Sequence, residues 1–126
     1  MRYARLFADD SGESHFDDIE IQFMATDYVQ SAGPLDFSPS LPASQVAFMR
    51  APAGWVSDFH VSSARNMFVV LSGVWEVTAS DGESRRFAAG SALLVEDTTG
   101  KGHSSRIVSD TESVAVVVPL EQEQNS

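Results

Sequence analysis

Two of the three histidines in this chain, His60 and His103, stand in stretches whose residue types and spacing could do chemistry. Histidine changes charge near neutral pH, and burial or a neighbouring carboxylate tunes it. A pair in an apolar site suits general acid–base work, one ring taking a proton while the other gives one. Around the first runs Gly54, five residues, His60, one residue, Ser62, three residues, Asn66, six residues, Gly73. Ahead of the second run Glu96-Asp97-Thr98-Thr99-Gly100-Lys101-Gly102. Ser62 and Asn66 could hydrogen-bond a ligand carbonyl or hydroxyl, and an amide polarises a developing oxyanion. The blander reading makes them core polar residues satisfied within the protein. His15 lies outside both stretches and reads as a surface or strand-end residue.

The elements that must position these residues are short strands. Arg2 to Phe7 and His15 to Phe23 come first, the latter alternating through Ile19, Ile21 and Phe23. Ser31 to Ser44 carries Pro34, Pro39 and Pro42 and reads as an extended loop along an edge or rim, since proline cannot donate to a sheet ladder. Strands then follow at 45–50, 57–61, 66–71, 74–80, 83–87, 92–95, 103–108 and 113–120. Ser80-Asp81-Gly82-Glu83 predicts a hairpin with a two-residue turn. The Thr98 to Gly102 loop reads mainly as the turn that delivers His103. The polar tail Glu121 to Ser126 is expected to fray. Strands this short, with turns this frequent, predict an all-β sandwich or barrel in one undivided domain, 1–126.

Composition narrows the functions. Asp and Glu outnumber Lys and Arg 18 to 8, a formal net charge of −10. Such a surface repels phosphate backbones and anionic lipid, so neither nucleic acid nor a membrane is an expected partner. The absence of cysteine excludes disulfides, thiolate metal sites and thiol nucleophiles. Met1 to Gly12 is mixed and charged, unlike a signal peptide, and no apolar run reaches membrane-spanning length. The expectation is a cytoplasmic protein.

The spacing from Gly54 to Gly73 resembles the first cupin motif, G-x5-H-x-H-x3-E-x6-G, with sixteen residues then separating Gly73 from Gly90. Thr98-Thr99-Gly100-Lys101-Gly102-His103 partly matches the second, G-x5-P-x-G-x2-H, with Thr98 in the proline position and two extra residues after Gly90. The motifs occupy about 54–73 and 90–107. Gly12-Glu13-Ser14-His15-Phe16 and the Glu96 to His103 run look like a group of small single-domain bacterial cupins, a likeness that sharpens the fold and not the function. The resemblance implies a cupin β-barrel (a double-stranded β-helix, or jelly roll) with His60 and His103 side by side in its interior.

Cupins that hold iron or manganese tightly usually present three histidines and a carboxylate. Carried over by position, this chain supplies His60, Ser62, Asn66 and His103. Ser62 and Asn66 are poor ligands for a first-row divalent metal, having neither an imidazole nor an anionic oxygen. A divalent iron, manganese, nickel or zinc ion would therefore need a carboxylate beside the two histidines, from Glu96 or Asp97. Asp58, the other nearby acid, is disfavoured by strand alternation.

Trp55, Phe59, Phe68, Trp75 and Phe48 supply aromatic surface along the motif strands. Pockets are commonly lined this way with a few placed polar groups, although ordinary core packing accounts for several of the five. Trp75 stands where cupins often have glycine, and its ring would narrow the cavity or move it. Arg65 is expected to point outward, into a salt bridge or dimer contact. The leading functional expectation is an enzyme of isomerase, dehydratase, lyase or cyclase type. Its catalytic residues would be His60 and His103, with Ser62, Asn66, Trp55, Phe48, Phe68 and Trp75 around a small, partly apolar substrate. The alternatives are a non-catalytic ligand-binding cupin and a metal-dependent oxygenase. A homodimer is expected, paired through the N-terminal strands Arg2 to Phe7 and His15 to Phe23.

Overall fold

The structure, a computed structural model, describes residues 1–122, so most of the polar tail expected to fray lies outside the described residues. The described residues form twelve strands and no helix. A six-stranded sheet runs in the order β2 (Ser14–Glu20), β1 (Arg2–Ala8), β10 (Ala92–Val95), β7 (Asn66–Ser72), β12 (Ser113–Pro119), β5 (Ala47–Ala51). A four-stranded sheet runs β6 (Val56–His60), β11 (His103–Ile107), β8 (Trp75–Ala79), β9 (Ser84–Phe87). All ladders are antiparallel except β1 with β10. The two sheets share one core in a jelly roll, and their ladders do not close into a continuous barrel. No helix among the described residues is long and apolar enough to cross a membrane.

Period-two patterning explains the packing. On β8, Trp75, Val77 and Ala79 are buried while Glu76 and Thr78 face outward, and Glu76 takes ion pairs from Arg86 and Arg106. Opposite them, Leu6, Phe68, Val70, Leu93 and Ala115 of the larger sheet fill the core. The β8–β9 hairpin forms as expected but with three loop residues. Gly82 N donates to the carbonyl of Ala79 while Ala79 N donates to that of Glu83, and only Gly82 takes a positive φ, +96°. A turn closed by a glycine in the left-handed region is the usual three-residue solution.

One hairpin was not legible in the sequence. β3 (Met24–Thr26) pairs with β4 (Leu35–Phe37), the latter inside the stretch read as loop. Each is three residues long and exposed throughout, so no burial alternation marks them. The proline-rich stretch does run along a rim: Ala43 bridges Leu120, and Glu121 N donates to the carbonyl of Pro42.

Candidate functional site

The site forms where β6 ends and β11 begins. His60 and His103 are Cα partners in that ladder, and their rings lie 4.7 Å apart, tilted by 53°. The register shifts just after His103, a local irregularity of the kind that re-aims side chains. The loop before His103 is shaped by two glycines. Gly100, φ +82°, packs backbone to backbone against Gly12, and Gly102, φ +74°, packs against the carbonyl of His60. Lys101 N donates to the carbonyl of Gly12, Ser14 Oγ donates to that of Gly102, and Lys101 Nζ pairs with Glu13.

Each ring has its Nδ1 engaged. His60 Nδ1 lies 2.9 Å from the carbonyl oxygen of Asp58, which can only accept, so Nδ1 carries the hydrogen. His103 Nδ1 lies 2.5 Å from Asp97 Oδ2 and donates to the carboxylate in the same way. In their neutral forms both rings therefore present Nε2 as a lone pair. Asp97 is fully buried, and its Oδ1 has no hydrogen-bond partner among the described residues. A buried carboxylate oxygen left unpaired is costly, so the bond to His103 is the interaction that justifies this side chain. His103 is buried and His60 exposed, so the pair spans the way from core to solvent.

The two rings border a cavity of about 340 Å³. Trp55, Phe68 and Trp75 line it, with Met49, Val77, Leu93, Val95 and Val117. Trp75 sits edge-on to Phe68 at 5.4 Å and to Trp55 at 5.6 Å, and its Nε1 donates to Ser113 Oγ at 2.7 Å. Ser62 and Asn66 also line the cavity but are tied to each other. Ser62 Oγ donates to the carbonyl of Ala64, and Asn66 Nδ2 lies within hydrogen-bonding distance of Ser62 Oγ and that same carbonyl. The atom Asn66 can offer a ligand is thus Oδ1. A larger groove of about 650 Å³ lies under residues 38–41 against Tyr3, Ile19 and Val69, but no histidine borders it.

Phe48 is not in the lining. It is 73% exposed, and its neighbour Met49 lines the cavity instead, because alternate residues of β5 face opposite sides. Phe59 is likewise exposed, outside the lining. Glu96 does not reach the histidines: Arg65 Nε holds its Oε2 at 2.7 Å, and Arg5 lies 3.7 Å from its Oε1. Arg65 is thus in the salt bridge expected of it. Several lining residues went unread in the sequence, Met49, Val77, Leu93, Val95, Val117 and Ser105 among them. Ser105 was findable, since it stands two residues beyond His103 and so shares its face.

Among solved structures, the chain superposes on the cupin domain of Cnp3 from Schizosaccharomyces pombe with a TM-score of 0.50, at 15% identity, covering 96% of this chain and 83% of that one. The fold is a cupin. A cupin domain from Bordetella pertussis Tohama I matches at 21% identity and TM-score 0.49, over 67% of this chain and 92% of that one. A conserved Streptococcus pyogenes protein of unknown function matches at 27% identity and TM-score 0.46, over 61% of this chain, whose match spans 65% of that protein. No family model and no curated protein matches the sequence.

The cupin fold implies a divalent metal, and the donors here do not fit one. Two imidazole nitrogens border the cavity, Ser62 and Asn66 are hydrogen-bonded to each other, Glu96 is held by arginines, and Asp97 lies behind His103 on Nδ1. Among the described residues no group of three His, Cys, Asp or Glu side chains is arranged to hold a metal ion. First-row divalent ions ordinarily need at least three protein ligands, with an anionic one where imidazoles are few.

Proposed function

We propose that this cupin is an enzyme that moves a proton within a small, partly apolar carbonyl compound, in an isomerase, dehydratase, lyase or cyclase reaction. The observation that supports this reading is the Asp97–His103–His60 arrangement beside an aromatic cavity. His103 Nε2 takes the proton from the carbon next to the carbonyl, and Asp97 faces the positive charge that then develops on the ring, as the buried aspartate does in a hydrolase triad. His60, when protonated, returns a proton from Nε2 to the substrate. The 4.7 Å spacing of the rings lets the pair exchange protons between turnovers. The cavity accepts a molecule at the small end of typical ligands, given pockets of roughly 300 to 1,000 Å³.

Proton abstraction is tested without knowing the natural substrate. Small ketones and hydroxyketones are incubated with the protein in D2O, and deuterium entering next to the carbonyl is followed by NMR. Exchange is expected with the wild type and is expected to fall about a hundredfold or more in His103→Ala. Binding of these compounds with no exchange would sink the enzyme reading and leave a ligand-binding module in its place.

A further inference from the structure

The hydrogens carried by the polar groups of the cavity are largely spent inside the protein. Nδ1 of His60 gives its hydrogen to the carbonyl of Asp58, and Nδ1 of His103 gives its own to Asp97. Trp75 Nε1 donates to Ser113 Oγ, and Ser62 Oγ donates to the carbonyl of Ala64. Ser105 Oγ shares a hydrogen with Ser57 Oγ at 3.2 Å. What remains for a ligand is mostly lone pairs.

Asn66, at the start of β7, is the clearest case, because its amide cannot be turned over. Nδ2 lies 3.0 Å from the carbonyl of Ala64, which only accepts, and 3.1 Å from Ser62 Oγ, whose own hydrogen goes to that same carbonyl. Oδ1 is left over, with no hydrogen-bond partner among the described residues. Unlike Asp97 Oδ1 it is not a buried atom, so a ligand in the cavity that Asn66 lines can reach it. A plain ketone has lone pairs and no hydrogen to give. Seated against Oδ1, it strips water from that oxygen and replaces it with nothing. A hydroxyl on the carbon beside the carbonyl supplies the missing hydrogen. Charge narrows the class further. No lysine or arginine lines the cavity, and the chain carries a formal charge of −10, so a carboxylate or phosphate meets no cation there.

We infer that Asn66 Oδ1 selects a neutral α-hydroxy ketone or α-hydroxy aldehyde over the plain carbonyl compound, by accepting the hydrogen of its hydroxyl. The inference rests on the proposed proton transfer for the role of the carbonyl, and it names the substrate class of that reaction. The bond broken is the C–H bond on the hydroxyl-bearing carbon, and its proton passes to His103 Nε2. Its electron pair becomes the carbon–carbon double bond of an enediol, and the carbonyl oxygen takes a proton from His60 Nε2. Charge and atoms balance within the site, and no outside reactant is required. Throughout this step the hydroxyl stays on Asn66 Oδ1, which fixes which C–H bond faces the base.

Titration calorimetry on the full chain tests it with three probes. These are phenacyl alcohol, propiophenone, in which a methyl replaces the hydroxyl, and the methyl ether of phenacyl alcohol, which keeps the oxygen without its hydrogen. The wild type is expected to bind the alcohol about tenfold or more tighter than either of the others. In Asn66→Leu that preference is expected to vanish, with propiophenone bound no more weakly than before. A merely structural role for Asn66 would weaken all three alike. Similar affinities of the wild type for the alcohol and its ether overturn the inference, and that comparison stands even if Asn66→Leu fails to fold. A preference kept in Asn66→Leu overturns it too. Deuterium exchange of phenacyl alcohol in D2O, read in parallel, separates the two claims. A binding preference without exchange supports the selection by Asn66 and removes the proton transfer, whereas exchange without a preference does the reverse.

Discussion

The backbone of Gly102 passes so close to the carbonyl of His60 that no side-chain carbon fits between them. This contact sets how near β11 begins to the end of β6, and hence how near His103 stands to His60. Gly102 also takes φ +74°, which side chains disfavour.

Gly102→Ala is therefore expected to destabilise the fold by about 3 kcal/mol, combining a left-handed backbone with a clash that only backbone movement relieves. Urea unfolding followed by tryptophan fluorescence measures this. Gly33→Ala is the comparison, because a Cβ there meets nothing within 4 Å, and it should be near neutral. Equal stability of the two variants would mean that the approach to His60 is looser than described.

Asp97→Asn keeps the shape of the residue behind His103 but removes the charge. An amide can donate to Nδ1 and so move the ring hydrogen to Nε2, where it blocks proton uptake. Deuterium exchange should fall about a hundredfold or more, with the circular dichroism spectrum retained. Nitrogen NMR of the histidine rings should find both neutral rings protonated at Nδ1 in the wild type. Exchange at the wild-type rate in Asp97→Asn would reduce Asp97 to a structural role.

His15 links a turn of each sheet. Its Nε2 lies 2.6 Å from Asp9 Oδ2 in the β1–β2 turn, and its Nδ1 lies 2.9 Å from Asp81 Oδ2 in the β8–β9 loop. The bonds to Asp9 first and Asp81 second raise the His15 pKa above its ordinary value, and His15 in turn holds Asp9 well below the carboxylate range. A histidine with a raised folded pKa stabilises fully below its unfolded value of about 6.5, and that stabilisation is lost as pH rises through the folded value. At the acid end it is Asp9 that matters, its contribution being present above its unfolded value and lost as pH falls through the lowered one. The melting temperature of the wild type should thus decline, relative to His15→Gln, as pH rises above about 6.5. The ring is one-third exposed, so salt should shrink the difference. Parallel profiles for the two proteins would show that the His15 bonds add nothing to stability.

Trp75 is both wall and core. At 5% exposure, with its Nε1 hydrogen bonded to Ser113, it cannot be truncated cheaply, and Trp75→Ala is expected to cost about 3 to 5 kcal/mol. Trp75→Phe should cost less and enlarge the cavity, which binding of progressively bulkier ketones would report. An unchanged size limit in Trp75→Phe would remove Trp75 from the set that shapes the pocket.

Much of this molecule was readable from residue order because its strands are short and their faces alternate. Trp75, Val77 and Ala79 announce an inner face, Asp81-Gly82 announces a reversal, and the Gly54 to Gly73 spacing announces the cupin. Where alternation was absent the reading failed. β3 and β4 bury nothing, so no pattern distinguishes them from loop. Phe48 was placed in the pocket by its chemistry, but the register of β5 against β12 turns Met49 inward and Phe48 out.

By itself the sequence determined the all-β class, the two histidines as the chemically able residues, and an acidic surface. These are properties of composition and of short-range periodicity, which a chain carries whether folded or not. Tertiary structure alone decided which carboxylate serves which group. Glu96 and Asp97 are neighbours in sequence, yet one is held outside by arginines and the other lies buried against His103. The cause lies past the end of β10, where the backbone turns and Thr98 N donates to the carbonyl of Glu96, so that two adjacent side chains leave toward different neighbours.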